Sequence, residues 1–185
     1  MQRDLVDLAR RGDHAAFTAL VAGSINGLYA TARLILRSDD RAEDAVQDAL
    51  LRAWLGIRAL RDPERFEAWL RRLLVNACYR AARNNRRRQV FEIHDLPFGG
   101  PSTADGQLTL AIRDQLERGF GRLAPEQRAV LVVHHYLDLP DAEAADVLGI
   151  PIGTMKSRLS RAKAALRAAL AADERESTVT EGAVR

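Results

Sequence analysis

The chain has 185 residues, 47% hydrophobic and 29% charged, with 28 Lys and Arg against 25 Asp and Glu for a formal net charge of +3. That length suits one large or two small domains, and the mixture is too apolar for a wholly disordered chain. The single cysteine, Cys78, excludes an internal disulfide, and no run of about 18 apolar residues could cross a bilayer. The start from Met1 to Arg11 mixes acids with arginines and leads into no apolar signal core, so we expect a cytoplasmic protein without membrane insertion.

Apolar residues recur at helical spacing from Leu5 to Tyr79, and the pattern predicts four helices around one core. The first carries Leu5, Leu8 and Ala9 and stops at Gly12. Asp13 can cap a second, built on Phe17, Leu20, Leu28, Ala32 and Ile35. Asp40 and Glu43 have capping-box spacing before a third, whose buried stripe is Ala42, Ala45, Val46, Ala49, Leu50, Ala53, Trp54 and Ile57. Asp62 and Pro63 open a fourth, with Phe66, Trp69, Leu70, Leu73, Leu74, Ala77, Cys78 and Ala81 inward.

From Gln89 to Gln107 the periodicity lapses and Pro97, Gly99, Gly100, Pro101, Ser102 and Gly106 collect, the composition of a flexible tether. Extended, it could reach on the order of 65 Å. Helical spacing resumes at Leu108, breaks near Gly121 and restarts after Pro125; two more helices follow, roughly Asp141 to Leu148 and Gly153 to Ala172. The expected fold is therefore all-α: two small helical domains, 1–88 and 108–172, joined by a flexible linker at 89–107. The polar tail 173–185 is expected to fray.

Three constellations carry function. The segment Asp141 to Arg161 has helix-turn-helix spacing: small Ala145 where two helices would cross, then Gly149 for the left-handed turn. The second helix places Met155, Leu159, Ala162 and Leu166 on one face and Lys156, Ser157, Arg161, Lys163 and Arg167 outside it, and no acid intervenes between Asp146 and Asp173. Such a helix suits the major groove, with phosphate contacts for affinity and the first turns facing base edges; a helical hairpin with a solvated basic face is the plainer alternative. On the fourth helix Arg72, Asn76, Arg80, Arg83 and Arg87 fall three or four apart, hence on one face, within a run rich in arginine up to Arg88. The third helix carries Asp44, Asp48, Leu51 and Leu55 away from its core stripe, a mixed line of acids and leucines that we read as a docking surface.

The strings AEDAVQDALLRAW from Ala42, FEAWLRRLLVNACYR from Phe66 and GIPIGTMKSRLSRAKAAL from Gly149 together resemble the extracytoplasmic-function branch of bacterial sigma factors. The resemblance covers nearly the whole chain outside linker and tail. It implies that the first domain grips the clamp helices of the largest subunit of core RNA polymerase through Asp44, Gln47, Asp48, Leu51 and Leu55. It implies that Arg72, Asn76, Arg80, Arg83 and Arg87 meet the nontemplate strand of a melted −10 element. Thr154, Lys156, Ser157, Arg158, Arg161 and Lys163 would read −35 duplex DNA. Promoter DNA and core polymerase are the implied partners; an anti-sigma protein is a further one that family membership raises. Pro140 stands where the family usually has a serine or threonine. A stand-alone helix-turn-helix regulator would explain only the second half. No phosphate loop, nucleophile–base pair or metal-spaced cluster points to an enzyme, metal or cofactor, and adjacent His134 and His135 face different ways.

Overall fold

The computed structural model describes residues 2–86 and 106–182. Arg87 and the tether up to residue 105 lie outside them. Among the described residues the fold is helical, without strands, as expected.

Helix α1 (Gln2–Arg10) ends at Gly12, whose φ is 94°, and the Asp13 carboxylate then accepts from the Ala16 N–H at 3.0 Å to cap α2 (His14–Ala22). The expected single second helix is two: α3 (Ile25–Leu36) leaves α2 at 61°. A straight helix over this span would be about 35 Å long and run off the core, and Gly23 is the weak helix former where the chain turns. Ser24 at the bend donates to Glu67 at 2.9 Å. Helix α3 closes on Arg37 in the left-handed region, φ 52°. Ser38 is the actual cap of α4 (Asp39–Gly56), accepting from the Arg41 N–H, and Asp39 and Asp40 occupy its first turn, where the helix dipole favours acids. The expected capping box from Asp40 and Glu43 is thus displaced by a cap two residues earlier.

Two short 3-10 turns, Ile57–Ala59 and Pro63–Arg65, lead into α5 (Phe66–Arg86), with Asp62 accepting from the Glu64 N–H at 3.0 Å. Phe66, Leu70, Leu74, Ala77 and Cys78 are buried as the pattern predicts. Val75 and Ala82 are buried as well, because α5 packs on α3 and α4 along one side and on the second half along another.

The second half begins with α6 (Gly106–Gly121), two residues inside the expected tether. In α7 (Pro125–Leu131) Gln127 accepts from the Ala124 N–H at 2.9 Å; its end widens into a π-helical turn over Val132–Tyr136, closed by the Leu137 N–H on the Val132 carbonyl at 3.0 Å. Helix α8 (Asp141–Leu148) matches its expected bounds. Helix α9 (Ile152–Gly182) runs past its expected end at Ala172. Asp173 is 5% exposed and takes Arg118 at 2.8 Å and Arg122 at 3.6 Å, both on or just after α6. A continuing helix lets that buried carboxylate find its cations; no stripe in the tail announces it.

The two halves rest on each other. Helix α5 packs on α8, α3 packs on α7, and one connected hydrophobic cluster runs through both.

Candidate nucleic-acid interface

The turn between α8 and α9 has the geometry its sequence predicts. Gly149 caps α8 at φ 67°, its N–H donating to the Asp146 carbonyl at 3.1 Å, while Ile150 N–H reaches the Ala145 carbonyl at 3.1 Å. A side chain at residue 149 would be strained in that backbone region. Ala144, Ala145, Val147 and Leu148 of α8 and Met155, Leu159 and Ala162 of α9 are buried, where α8 packs on α9 and on α5. This packing turns Lys156, Ser157 and Arg161 to solvent and leaves Thr154, Arg158 and Lys163 half-buried at the edges of the same face. Ser157 donates to the Thr154 carbonyl and Arg161 to the Ser157 carbonyl, local bonds that a DNA acceptor could replace. Asp141 sits between His134 Nε2 at 3.2 Å and Lys156 Nζ at 3.5 Å, holding one basic side chain over the start of α8.

On α4 the stripe Ala42, Ala45, Val46, Ala49 and Ala53 is buried, and the opposite side presents Asp44, Gln47, Leu51 and Leu55 to solvent, the two leucines at 57% and 71% exposure. Asp48 belongs to neither side cleanly. Its carboxylate accepts from Arg80 of α5 at 2.6 Å and from Arg52 at 2.8 Å. Partial burial pushes its carboxyl up, but the hydrogen bonds from Arg80 and Arg52 outweigh this and hold it below the ordinary value of 3.8. Two of the candidate residues, one for polymerase and one for DNA, are therefore bonded to each other.

The remaining α5 candidates spread along the helix. Arg72 and Arg83 are exposed and Asn76 is half-buried. Arg72 lies at the seam with the second half, its guanidinium 3.4 Å from where a Cβ on Gly149 would stand. It lines a cleft of about 460 Å³ with Arg61, Arg65, Trp69 and, from α8, Asp146. Trp69 edges that cleft and Phe66 is fully buried, so Phe66 serves the core.

Sequence reasoning missed the charged groups that join the halves. Arg65 meets Asp146 at 2.8 Å, Arg128 is 7% exposed and bonded across the seam, and Arg37 reaches α6. Long-range pairing of this kind leaves no periodic trace, although one arginine inside the apolar run of α7 was a visible irregularity.

Two family matches fall on these two halves: Sigma-70 region 2 on residues 20–88 and Sigma-70, region 4 on residues 113–166. The sigma factor SigM of Mycobacterium tuberculosis, of the extracytoplasmic-function type, is 34% identical over 155 residues, covering 84% of this chain and 77% of that one. The chain belongs to the extracytoplasmic-function sigma factors. Among solved structures, CnrH in complex with the cytosolic domain of CnrY superposes with a TM-score of 0.62 at 29% identity, covering 93% of this chain and 98% of that one. The sigma factor RpoE of Bartonella quintana, solved with the anti-sigma factor NepR, gives 0.63 at 26% identity over 85% and 98%. This sigma factor acts with core RNA polymerase to direct promoter-specific transcription initiation, and a stand-alone regulator is not favoured because region 2 would then have no task. Among the described residues no single helix is long and apolar enough to cross a membrane.

Proposed function

We propose that the exposed side of α4 is where this sigma factor docks on the clamp helices of the largest polymerase subunit, through Asp44, Gln47, Leu51 and Leu55. The observation that carries this is the exposure of Leu51 and Leu55 beside acids on a helix whose other side is wholly buried. Single exposed leucines are ordinary, but two on successive turns with flanking acids suit a basic partner with an apolar seam. On this reading Arg72, Asn76, Arg80 and Arg83, with Arg87 beyond the described residues, follow the nontemplate strand of the −10 element. Thr154, Lys156, Ser157, Arg158, Arg161 and Lys163 read the −35 duplex by phosphate and major-groove contacts. The domains are region 2 over 1–88 and region 4 over 108–172. The protein is a cytoplasmic initiation factor without catalytic chemistry of its own. Like CnrH and RpoE, which were solved bound to CnrY and NepR, it takes an inhibitory protein partner.

Purified core polymerase with and without the chain, on promoters selected from a random library, tests the reading. Promoter-specific transcripts should require the protein, and should fall at least tenfold with Leu51→Asp or with Lys156→Glu plus Arg161→Glu. Undiminished transcription by Leu51→Asp at limiting polymerase would remove α4 as the docking face. Asp48→Arg is a poor probe, since it also releases Arg80 and Arg52.

A further inference from the structure

The π-helical turn after α7 brings together two histidines expected to face different ways. The rings of His134 and His135 have centroids 4.5 Å apart and Nδ1 atoms 3.4 Å apart. The other ring nitrogen of His134, Nε2, lies 3.2 Å from Asp141 Oδ1 at the start of α8, and Asp141 Oδ2 lies 3.5 Å from Lys156 Nζ on α9. One carboxylate is thus shared between a histidine and a lysine at the edge of the helix-turn-helix. The Lys156 side chain is 62% exposed, a compact charge on a flexible stem.

From this geometry, and on the −35 reading above, we infer that His134 is a positioning residue for the −35 contact: charged, it takes over Asp141 and frees Lys156 for a DNA phosphate; neutral, it leaves Asp141 to hold Lys156 back. Ring nitrogens decide how many protons the turn can hold. A neutral pair needs one Nδ1–H pointing at the other Nδ1 lone pair. A further proton on His134 keeps that bond, because Nδ1–H then donates to His135 while Nε2–H donates to Asp141. Extra protons on both rings would set N–H against N–H, so the turn accepts one. His135 is the ring that stays neutral: burial, then the charges of His134 and Lys163, push its pKa below the ordinary 6.5, partly countered by Asp138.

Helices α3, α7 and α8 pack against this turn. From α8 come Asp141 and, further along, Glu143 and Asp146, the last bound to Arg65. The charged groups of α3 and α7 are engaged elsewhere: Arg33 with Asp39, Arg37 with the Glu117 carbonyl, and Arg128 with the Ile35 and Leu123 carbonyls. Glu126 lines a recess with Arg158 and Arg161. With His134 neutral, the charges of Asp141 and Lys156 cancel. With His134 charged, the trio carries one net positive charge beside the exposed Ser157 and Arg161. The pair of Lys156 with Asp141 is long and exposed, of the kind that contributes little to stability, so exchange is easy. Histidine changes charge between about pH 5 and 8, so −35 affinity should rise as pH falls through that window.

The test uses holoenzyme from core polymerase and the full chain on a selected promoter, with competitor-resistant complexes counted at about pH 6 and about pH 8. Measured against His134→Gln, which cancels the polymerase's own response, the unaltered chain should gain about fivefold in affinity at the lower pH, with a salt slope steeper by about 1. His134→Arg should show that gain at both pH values. Should His134→Gln impair folding, Asp141→Asn reads the same device, because Lys156 is then free at either pH. A full pH response in His134→Gln or Asp141→Asn, or its loss with His135→Gln in place of His134→Gln, would overturn this role and leave the sigma reading intact. Promoter retention indifferent to the −35 sequence at both pH values would strike the −35 reading, and this role with it.

Discussion

Asp48 shows how one residue can serve an unexpected master. Its pKa is lowered in the folded state, so its contribution to stability is present above the ordinary carboxylate value of 3.8 and is lost as pH falls through the folded value. Asp48→Asn should therefore be less stable than the unaltered chain at neutral pH, and the gap in urea midpoint should narrow only as pH falls below the ordinary carboxylate value of 3.8. An equal gap at all pH values would show that Arg80 and Arg52 do not hold the charge. Cys78 lies at the other extreme: burial pushes its thiol up to about 12. A thiol so far from ionisation is a poor nucleophile, so iodoacetamide at pH 8 should leave the native chain unmodified and label it only in denaturant. Gly149 holds the turn of the helix-turn-helix at φ 67°, and Gly149→Ala should cost about 1–2 kcal/mol in chemical denaturation.

Elements were legible where a repeating pattern had one cause. The stripes of α4 and α5, the bounds of α8 and the left-handed glycine all follow from local spacing, and they appear where it put them. Legibility failed where the cause was distant. Ser38 outcompetes Asp40 as a cap because α3 ends at Arg37, and the bend at Gly23 answers to the core's curvature. The site divides in the same way: exposed Leu51, Leu55, Lys156 and Arg161 were visible as residues off a stripe, whereas the pairing of Asp48 with Arg80 needed the packing of α4 on α5. The last stretch of α9 is the sharpest case. Asp173 looks like the start of a polar tail, yet its carboxylate is buried against Arg118 and Arg122. Asp173→Ala should lower stability by about 1–3 kcal/mol, and truncation after Ala172 should lower the melting temperature; a tail without structural work would leave both unchanged.

At the scale of the molecule, the halves are sequentially separate and spatially joined. Small-angle scattering of the free chain should give a radius of gyration of roughly 16–20 Å, the value of one compact body with some loose chain. A markedly larger radius would mean that the seam does not persist in solution. Joining also fits the wide burial of α5, which packs on α7 and α8 of region 4 as well as on α3 and α4, with Val75 and Ala82 buried beyond the expected stripe.

That second buried side of α5 has a consequence during synthesis. A ribosome adding about 5–20 residues per second needs roughly 3–12 s to pass from the end of α5 to the end of α8. Throughout that interval the nascent amino-terminal half is folded on one side and bare on the other, displaying apolar surface that its own remaining sequence will later cover. A newborn chain thus passes through a window in which chaperones, or another nascent copy, can reach a surface that the closed protein covers.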